Sequence, residues 1–140
     1  MQIAIQKLHP DAKLPAFAHK EDAGLDVFTI EEVLVKPGER VQVRTGIAMQ
    51  IPTDFVGLVW DKSGISHLGG LKSLGGVIDS GFTGEILVGV VNLGKETYTF
   101  KKGAKIAQIL IQRVEHPIFV EVKSLEKSDR GEKGFGSSDK

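Results

Sequence analysis

The chain has 140 residues, 41% of them hydrophobic, with 18 Lys+Arg against 18 Asp+Glu and no cysteine. That length suits one domain able to bury its own core. The balanced charge offers no field to draw the chain onto nucleic acid or an anionic membrane, and the lack of cysteine excludes a disulfide framework or thiolate metal site.

No run of about 18 apolar residues is present to span a bilayer. The N-terminus opens on an alternating strand pattern rather than the apolar core of a signal peptide, so a cytoplasmic protein is expected. Ile3 and Ile5 alternate with polar neighbours as in a half-buried strand. A loop from His9 to Gly24 carries Pro10 and Pro15; Leu25–Ile30 and Val33–Val35 then read as strands. Lys36-Pro37-Gly38-Glu39 is a turn, followed by strands over Val41–Val43 and Gly46–Ile51 and a break at Pro52. Val56–Trp60 is a further strand. Asp61–Gly70 admits the one short helix, with Ser63 expected as its N-cap.

Gly75 to Ile86 reads Gly-Gly-Val-Ile-Asp-Ser-Gly-Phe-Thr-Gly-Glu-Ile and is richer than a turn requires. Gly75 and Gly76 let backbone groups approach a ligand, and Val77-Ile78 form a short strand ending on the carboxylate of Asp79. Ser80 and Gly81 make a turn, Phe82 adds a ring, and a strand Ile86–Val91 follows. The pattern predicts a β-hairpin with an acid, an aromatic ring and open backbone at its tip, the floor of an active site. Strands over Thr97–Phe100, Lys105–Ile111 and Ile118–Val122 complete an all-β domain, a jelly roll or barrel, over residues 1–123. Residues 124–140 are charged and glycine-rich, a flexible arm in which Arg130 and Phe135 stand out as groups for an anion and a flat ring.

Other motifs carry less. Gly89-Val-Val-Asn-Leu-Gly94-Lys95-Glu96 nearly matches a phosphate loop, but Glu96 stands where Ser or Thr must hold magnesium, and a hairpin turn is expected there. His9, His19, His67 and His116 lack zinc spacing. Ser63, His67 and Asp79 lack the Gly-x-Ser-x-Gly elbow of a nucleophilic triad. Lys101, Lys102 and Lys105 read as a solvated turn.

Together the motifs resemble the homotrimeric dUTP pyrophosphatase (dUTPase) family, whose five motifs occur in order. They are Ala23-Gly24-Leu25-Asp26-Val27, Asp61-Lys62-Ser63-Gly64-Ile65-Ser66, Gly76 to Ile86, Gly103-Ala104-Lys105-Ile106-Ala107-Gln108, and Arg130 to Ser138. The resemblance implies a jelly-roll-like β-clip fold, a homotrimer with sites shared between subunits, and hydrolysis of dUTP to dUMP and pyrophosphate. Water would attack the α-phosphate with magnesium (Mg2+) assisting. Asp79 would be the general base and Gln108 would hold the same water or a metal-bound one. Asp26 would sit near the hydrated magnesium, acting through water. Lys62, Ser63 and Gly64 would meet phosphate oxygens, Ser63 beside the helix amides. Leu74, Gly75, Gly76 and Val77 would read uracil through their backbone, and cytosine would leave those groups unpaired. Phe82 would pack on the deoxyribose and exclude a 2′-hydroxyl. Arg130 would clamp the γ-phosphate, Phe135 would stack on the base, and Gly136, Ser137 and Ser138 would wrap the phosphates. Neither nucleic acid nor membrane is an expected partner.

The chain departs from the family pattern at several of these positions. Lys62 and Lys105 stand where Arg is usual, Ala104 where Asp is common, and Phe82 where Tyr is usual. Gly81 and Ser73 replace a frequent Asp and an occasional Asn. An Arg–Asp pair would thus be missing from both ends at positions 104 and 105. The sibling dCTP deaminases share the fold, but the places of their proton-shuttling Glu and their Arg hold Gly89 and His67. A non-catalytic nucleotide-binding trimer would be expected to lack Asp79 or the arm, and both are present.

Overall fold

The computed structural model describes residues 1–132. Among them, eleven strands and one helix form. A four-stranded antiparallel sheet runs in the order β2 (Leu25–Phe28), β11 (Lys105–Arg113), β6 (Phe55–Trp60), β8 (Val77–Ile78). A three-stranded sheet places β9 (Leu87–Asn92) between β4 (Arg40–Arg44) and β7 (Leu71–Leu74). Two ribbons complete the all-β architecture, β1 (Ala4–Lys7) on β5 (Ile47–Gln50) and β10 (Tyr98–Phe100) on β3 (Val33–Val35).

Side-chain alternation explains why the sheets enclose one core. Along β9, Val88, Val90 and Asn92 are buried while the residues between them are exposed or half-buried, the period of two that a strand imposes. Val27, Val43, Ile47, Val88, Phe100 and Ile109 meet in the centre and are fully buried. Truncating any of these aliphatic side chains to Ala costs roughly 2–5 kcal/mol. Asn92 is the polar member of that interior. Its amide nitrogen donates to the carbonyls of Val35 and Glu96, each at 2.8 Å, and its oxygen accepts from Gly94 N–H at 2.8 Å. Every hydrogen-bonding atom of the side chain is thereby engaged, which removes the penalty for burying it.

Four expectations change. Gly75–Ile86 is not a hairpin: β8 pairs with β6, whereas β9 pairs with β4 and β7 in the other sheet. The Gly94-Lys95 turn likewise joins strands of different sheets, since β10 pairs with β3. Local turn chemistry marks where a strand ends, and the partner is chosen by which apolar face must be covered. The helix α1 (Ser63–Gly69) has Lys62 as N-cap with no side-chain cap bond, so Ser63 is its first helical residue. Ile118–Val122 forms no strand; Ile118 and Phe119 are about nine-tenths exposed, because no described strand edge pairs with them.

Candidate functional site

Register brings the first group of candidate residues together. Gln108 in β11 lies directly opposite Asp26 in β2 on one side and Trp60 in β6 on the other. Directly opposed residues of an antiparallel pair project to the same face, so Asp26, Gln108 and Trp60 share one row. A bulge sets this row. Between Lys105 and Ala107 the register with β2 shifts by one residue, leaving Ile106 extra. Continued regularly from Lys105 opposite Phe28, the ladder would have set Ala107 against Asp26. Beside the row, a Cβ added to Gly24 would run into Oε1 of Gln108, so only glycine leaves the amide its place.

Asp26 is 3% exposed. The backbone of Ala16 covers its strand edge, with Asp26 N–H donating to the Ala16 carbonyl at 2.8 Å. Its carboxylate is flanked by two ammonium groups. Lys62 donates to Oδ1 at 2.5 Å, and Lys105 Nζ stands 2.6 Å from Oδ2 in an ion pair off hydrogen-bonding alignment. Burial alone would push this carboxyl up, but Lys105 and Lys62 outweigh it and hold the group below the usual carboxylate range. Lys105 therefore has a partner despite Ala104 beside it. The Asp26 trio carries a net positive charge, and no group of three His, Asp or Glu able to hold a cation occurs among the described residues. Asp26 as arranged does not fit a magnesium ligand, because both oxygens already face cations.

Ser63 and Gly64 follow Lys62 into α1 and are exposed at the same end of β6. Gln108 Nε2 donates to the Asp61 carbonyl at 2.8 Å, which fixes which way its amide points. The carboxylate of Asp61 takes Ser73 and Lys72 as partners. Sequence reading assigned Asp61 no role, for its partners are eleven and twelve residues away in another sheet.

The second group lies elsewhere. Gly57 and Leu58 of β6 pair with Ile78 and Val77, so Asp79 leaves β8 toward the end of β6 remote from Trp60. Three residues from Gly57 to Trp60 separate Ile78 from the Gln108 row by about 10 Å, and Asp79 is a step further. A turn closed by Phe82 N–H on the Asp79 carbonyl (3.0 Å) presents the Asp79 side chain to solvent, and among the described residues no donor engages its carboxylate. Phe82 is 46% exposed and lies over Gly84. The loop is anchored at its far end. Glu85 takes Arg44 in a bidentate pair, with a contact of 3.0 Å, and Gly46 N–H at 2.8 Å; Ile86 N–H donates to the Ile47 carbonyl.

Leu74 ends β7, and Gly75 and Gly76 after it connect β7 to β8 and so cross from one sheet to the other. They line a groove with Arg40, Gln42 and Leu87. Gly76 sits at φ 122°, and a Cβ there would stand 2.9 Å from the Val59 carbonyl, so glycine is required. Val77 follows at 68% exposure. Arg130 is exposed near the end of the described residues, and Phe135, Gly136, Ser137 and Ser138 lie outside them.

The family model for dUTPase matches residues 10–139. The deoxyuridine 5'-triphosphate nucleotidohydrolase of Clostridium kluyveri is 44% identical over 140 residues, covering 99% of this chain and 98% of that protein. The protein of the same name from Rhodococcus erythropolis is 41% identical, covering 99% and 86%. Among solved structures, a mutant dUTPase of Staphylococcus bacteriophage 80alpha with dUpNHpp superposes with a TM-score of 0.93 at 30% identity, over 98% of both chains. A mutant dUTPase from phage phi11 of S. aureus, described with a structural Mg(II) ion, gives 0.85 at 27% identity over 91% of this chain and 100% of that one.

Proposed function

The chain belongs to the dUTPase family and is a dUTP diphosphatase of nucleotide metabolism; from that premise we propose that water attacks the α-phosphate of dUTP in a site assembled from several copies of the chain. The observation that carries the shared site is the separation of Gln108 from Asp79. Gln108 and Asp26 occupy one row, while Ile78, the residue before Asp79, is about 10 Å along β6 from it. A water on its way to phosphorus must touch both Asp79 and Gln108 within hydrogen-bond reach, about 3 Å. One chain does not provide that. A second copy presenting its Asp79–Gly84 loop to this chain's Gln108 does, and a homotrimer closes such a head-to-tail contact into a ring. Residues 1–123 form the β-domain and 124–140 the arm.

Within that site the chain's own residues divide the work. Asp79 takes the proton of the attacking water, its carboxylate being open to accept it. Gln108, oriented by the Asp61 carbonyl, holds that water with its remaining amide donor and acceptor. Ser63 donates its hydroxyl to a phosphate oxygen beside Gly64, and Lys62 supplies positive charge there. Lys62 is a point charge on a flexible stem and can leave Asp26 for a phosphate, with Lys105 remaining as the counter-ion. The backbone at Leu74, Gly75, Gly76 and Val77 receives uracil, and Phe82 faces the sugar. Arg130, Phe135, Gly136, Ser137 and Ser138 close over the nucleotide. Magnesium is the cofactor; when bound it offsets the charge of the triphosphate. It would come on the phosphates with its waters rather than be held by Asp26, whose oxygens are engaged.

Incubation of the protein and magnesium with dUTP, dCTP, dTTP and UTP tests the reading. The expected products are dUMP and pyrophosphate from dUTP, with little from the others. Equal hydrolysis of UTP would remove Phe82 from sugar discrimination, and ammonia from dCTP would indicate a deaminase.

A further inference from the structure

Asp61 touches both the Gln108 amide and the strand that leads into the Leu74–Val77 backbone. Its backbone carbonyl accepts from Gln108 Nε2 at 2.8 Å. Its carboxylate, 22% exposed, accepts through Oδ1 from the N–H and the hydroxyl of Ser73, each at 2.6 Å, and through Oδ2 from Lys72 Nζ at 2.6 Å. Ser73 belongs to β7, which is hydrogen-bonded to β9 on one side only. The Asp61 carboxylate thus satisfies an N–H on the open edge of that strand. Burial would raise the Asp61 carboxyl, but Lys72 and Ser73 outweigh burial and lower it, so it stays charged at neutral pH.

Gly75 lies two residues beyond Ser73, and Gly76 next to it is gripped from the other side, its carbonyl accepting from Val59 N–H at 2.8 Å. Neither glycine has a side chain to brace it, and their φ angles are +71° and +122°. Their position is set by what holds the backbone at either end: Asp61 through Ser73 on one side, Val59 on the other.

We propose that Asp61 is a positioning residue that sets the backbone of Leu74–Val77 through Ser73, and with it the discrimination of uracil from cytosine. The inference deepens the reading of that backbone as the base site and rests on it. Uracil and cytosine differ in the order of donor and acceptor along one edge, so a backbone that reads them must hold its own N–H and C=O in fixed places. An edge strand freed from Asp61 would hold them less well. The Gln108 contact uses the Asp61 backbone and survives side-chain substitution, which separates base reading from the chemical step.

The test compares wild type, Asp61→Ala, Asp61→Asn and Ser73→Ala for kcat and KM on dUTP and dCTP, and for inhibition by dUMP and by inorganic triphosphate. Asp61→Ala leaves the Ser73 N–H without its partner, and KM for dUTP and Ki for dUMP should rise about tenfold. The ratio of kcat/KM between dUTP and dCTP should narrow similarly, while kcat and the triphosphate Ki stay within about twofold. Asp61→Asn retains an acceptor for Ser73 and should recover most of the discrimination. Ser73→Ala keeps the N–H bond and should show a smaller shift of the same kind; these two variants carry the test if Asp61→Ala does not fold. A fall in kcat with unchanged KM and unchanged dUTP/dCTP ratio would reduce Asp61 to a structural role and overturn the proposal. If wild type discriminates and Asp61→Ala discriminates equally, the Asp61 proposal alone fails. If wild type takes dCTP as readily as dUTP, the base-site reading fails and takes this inference with it.

Discussion

The Asp26–Gln108 row and the Asp79–Gly84 loop carry the same kinds of group and are built in opposite ways. In the row, the carboxylate is buried, faces two lysines and is locked by strand register. In the loop, carboxylate and ring are exposed on a turn tethered at its ends, by the β8 pairing on one side and by Glu85 and Ile86 on the other. The first half is finished by its own chain. The second is a set of groups held out for something else, consistent with chemistry that needs two copies.

The sharpest way to break this contrast is to disable each half in a different chain. Asp79→Asn should lose at least about 10²-fold in turnover, the usual scale for a general base, with little change in melting temperature. Gln108→Ala should also be nearly inactive. Dissociated, mixed and reassembled, the two inactive variants should regain a measurable fraction of wild-type activity, because some sites then receive Asp79 from one chain and Gln108 from another. No recovery in a demonstrably mixed trimer would place the complete site within one chain.

A smaller expected effect on structure, though not on rate, comes from the arm. A chain ending at Ser128 should fold, associate and melt nearly as the full chain does, since Ser124 to Glu132 is exposed throughout. Its hydrolysis of dUTP should collapse, the nucleotide being left open to water. Phe135→Ala should show a milder loss. Full activity of the truncated chain would assign residues 129–140 to a solvated tail.

The smallest effect is on acid stability, and it belongs to the row and its neighbour Asp61. Burial raises both carboxyls, but Lys105 and Lys62 at Asp26, and Lys72 and Ser73 at Asp61, lower them below the ordinary value of 3.8. A carboxyl depressed on folding contributes stability that is complete above its unfolded value and is lost as pH falls through the folded one. Melting temperature should therefore be flat from about pH 8 to 5 and decline below about pH 4. Asp61→Asn should melt lower at neutral pH and decline less steeply in acid. An unchanged acid slope would mean that the Asp61 contacts add nothing to folding.

Much of this was legible from the chain alone, and the misses share a cause. Alternation marks β4 and β9, in which every second residue turns inward. The same alternation is silent on which sheet receives a strand, so Val77-Ile78 and Leu87–Asn92 read as one hairpin although they part into two sheets. The apolar run at Ile118–Val122 had strand composition and no described partner. The first motif singled out Asp26, but as a residue near magnesium; it gave no sign of burial or of the lysines that flank the carboxylate, which come from β11 and the end of β6. Asp61 gave no comparable signal. Its neighbours in sequence are those of an ordinary loop, and its importance appears only when β7 arrives beside it.

The extra residue at Ile106 has a consequence for what insertions and deletions this chain tolerates. Without it the ladder from Lys105 opposite Phe28 would run evenly, with Ala107 still opposite Val27 and Gln108 still opposite Asp26. From Gln108 onward β6 counts the same residues, Gln108 opposite Trp60 through Arg113 opposite Phe55. Loss of Ile106 therefore leaves the row in place, whereas one residue added or removed within 109–113 would turn the side chains beyond it to the opposite face.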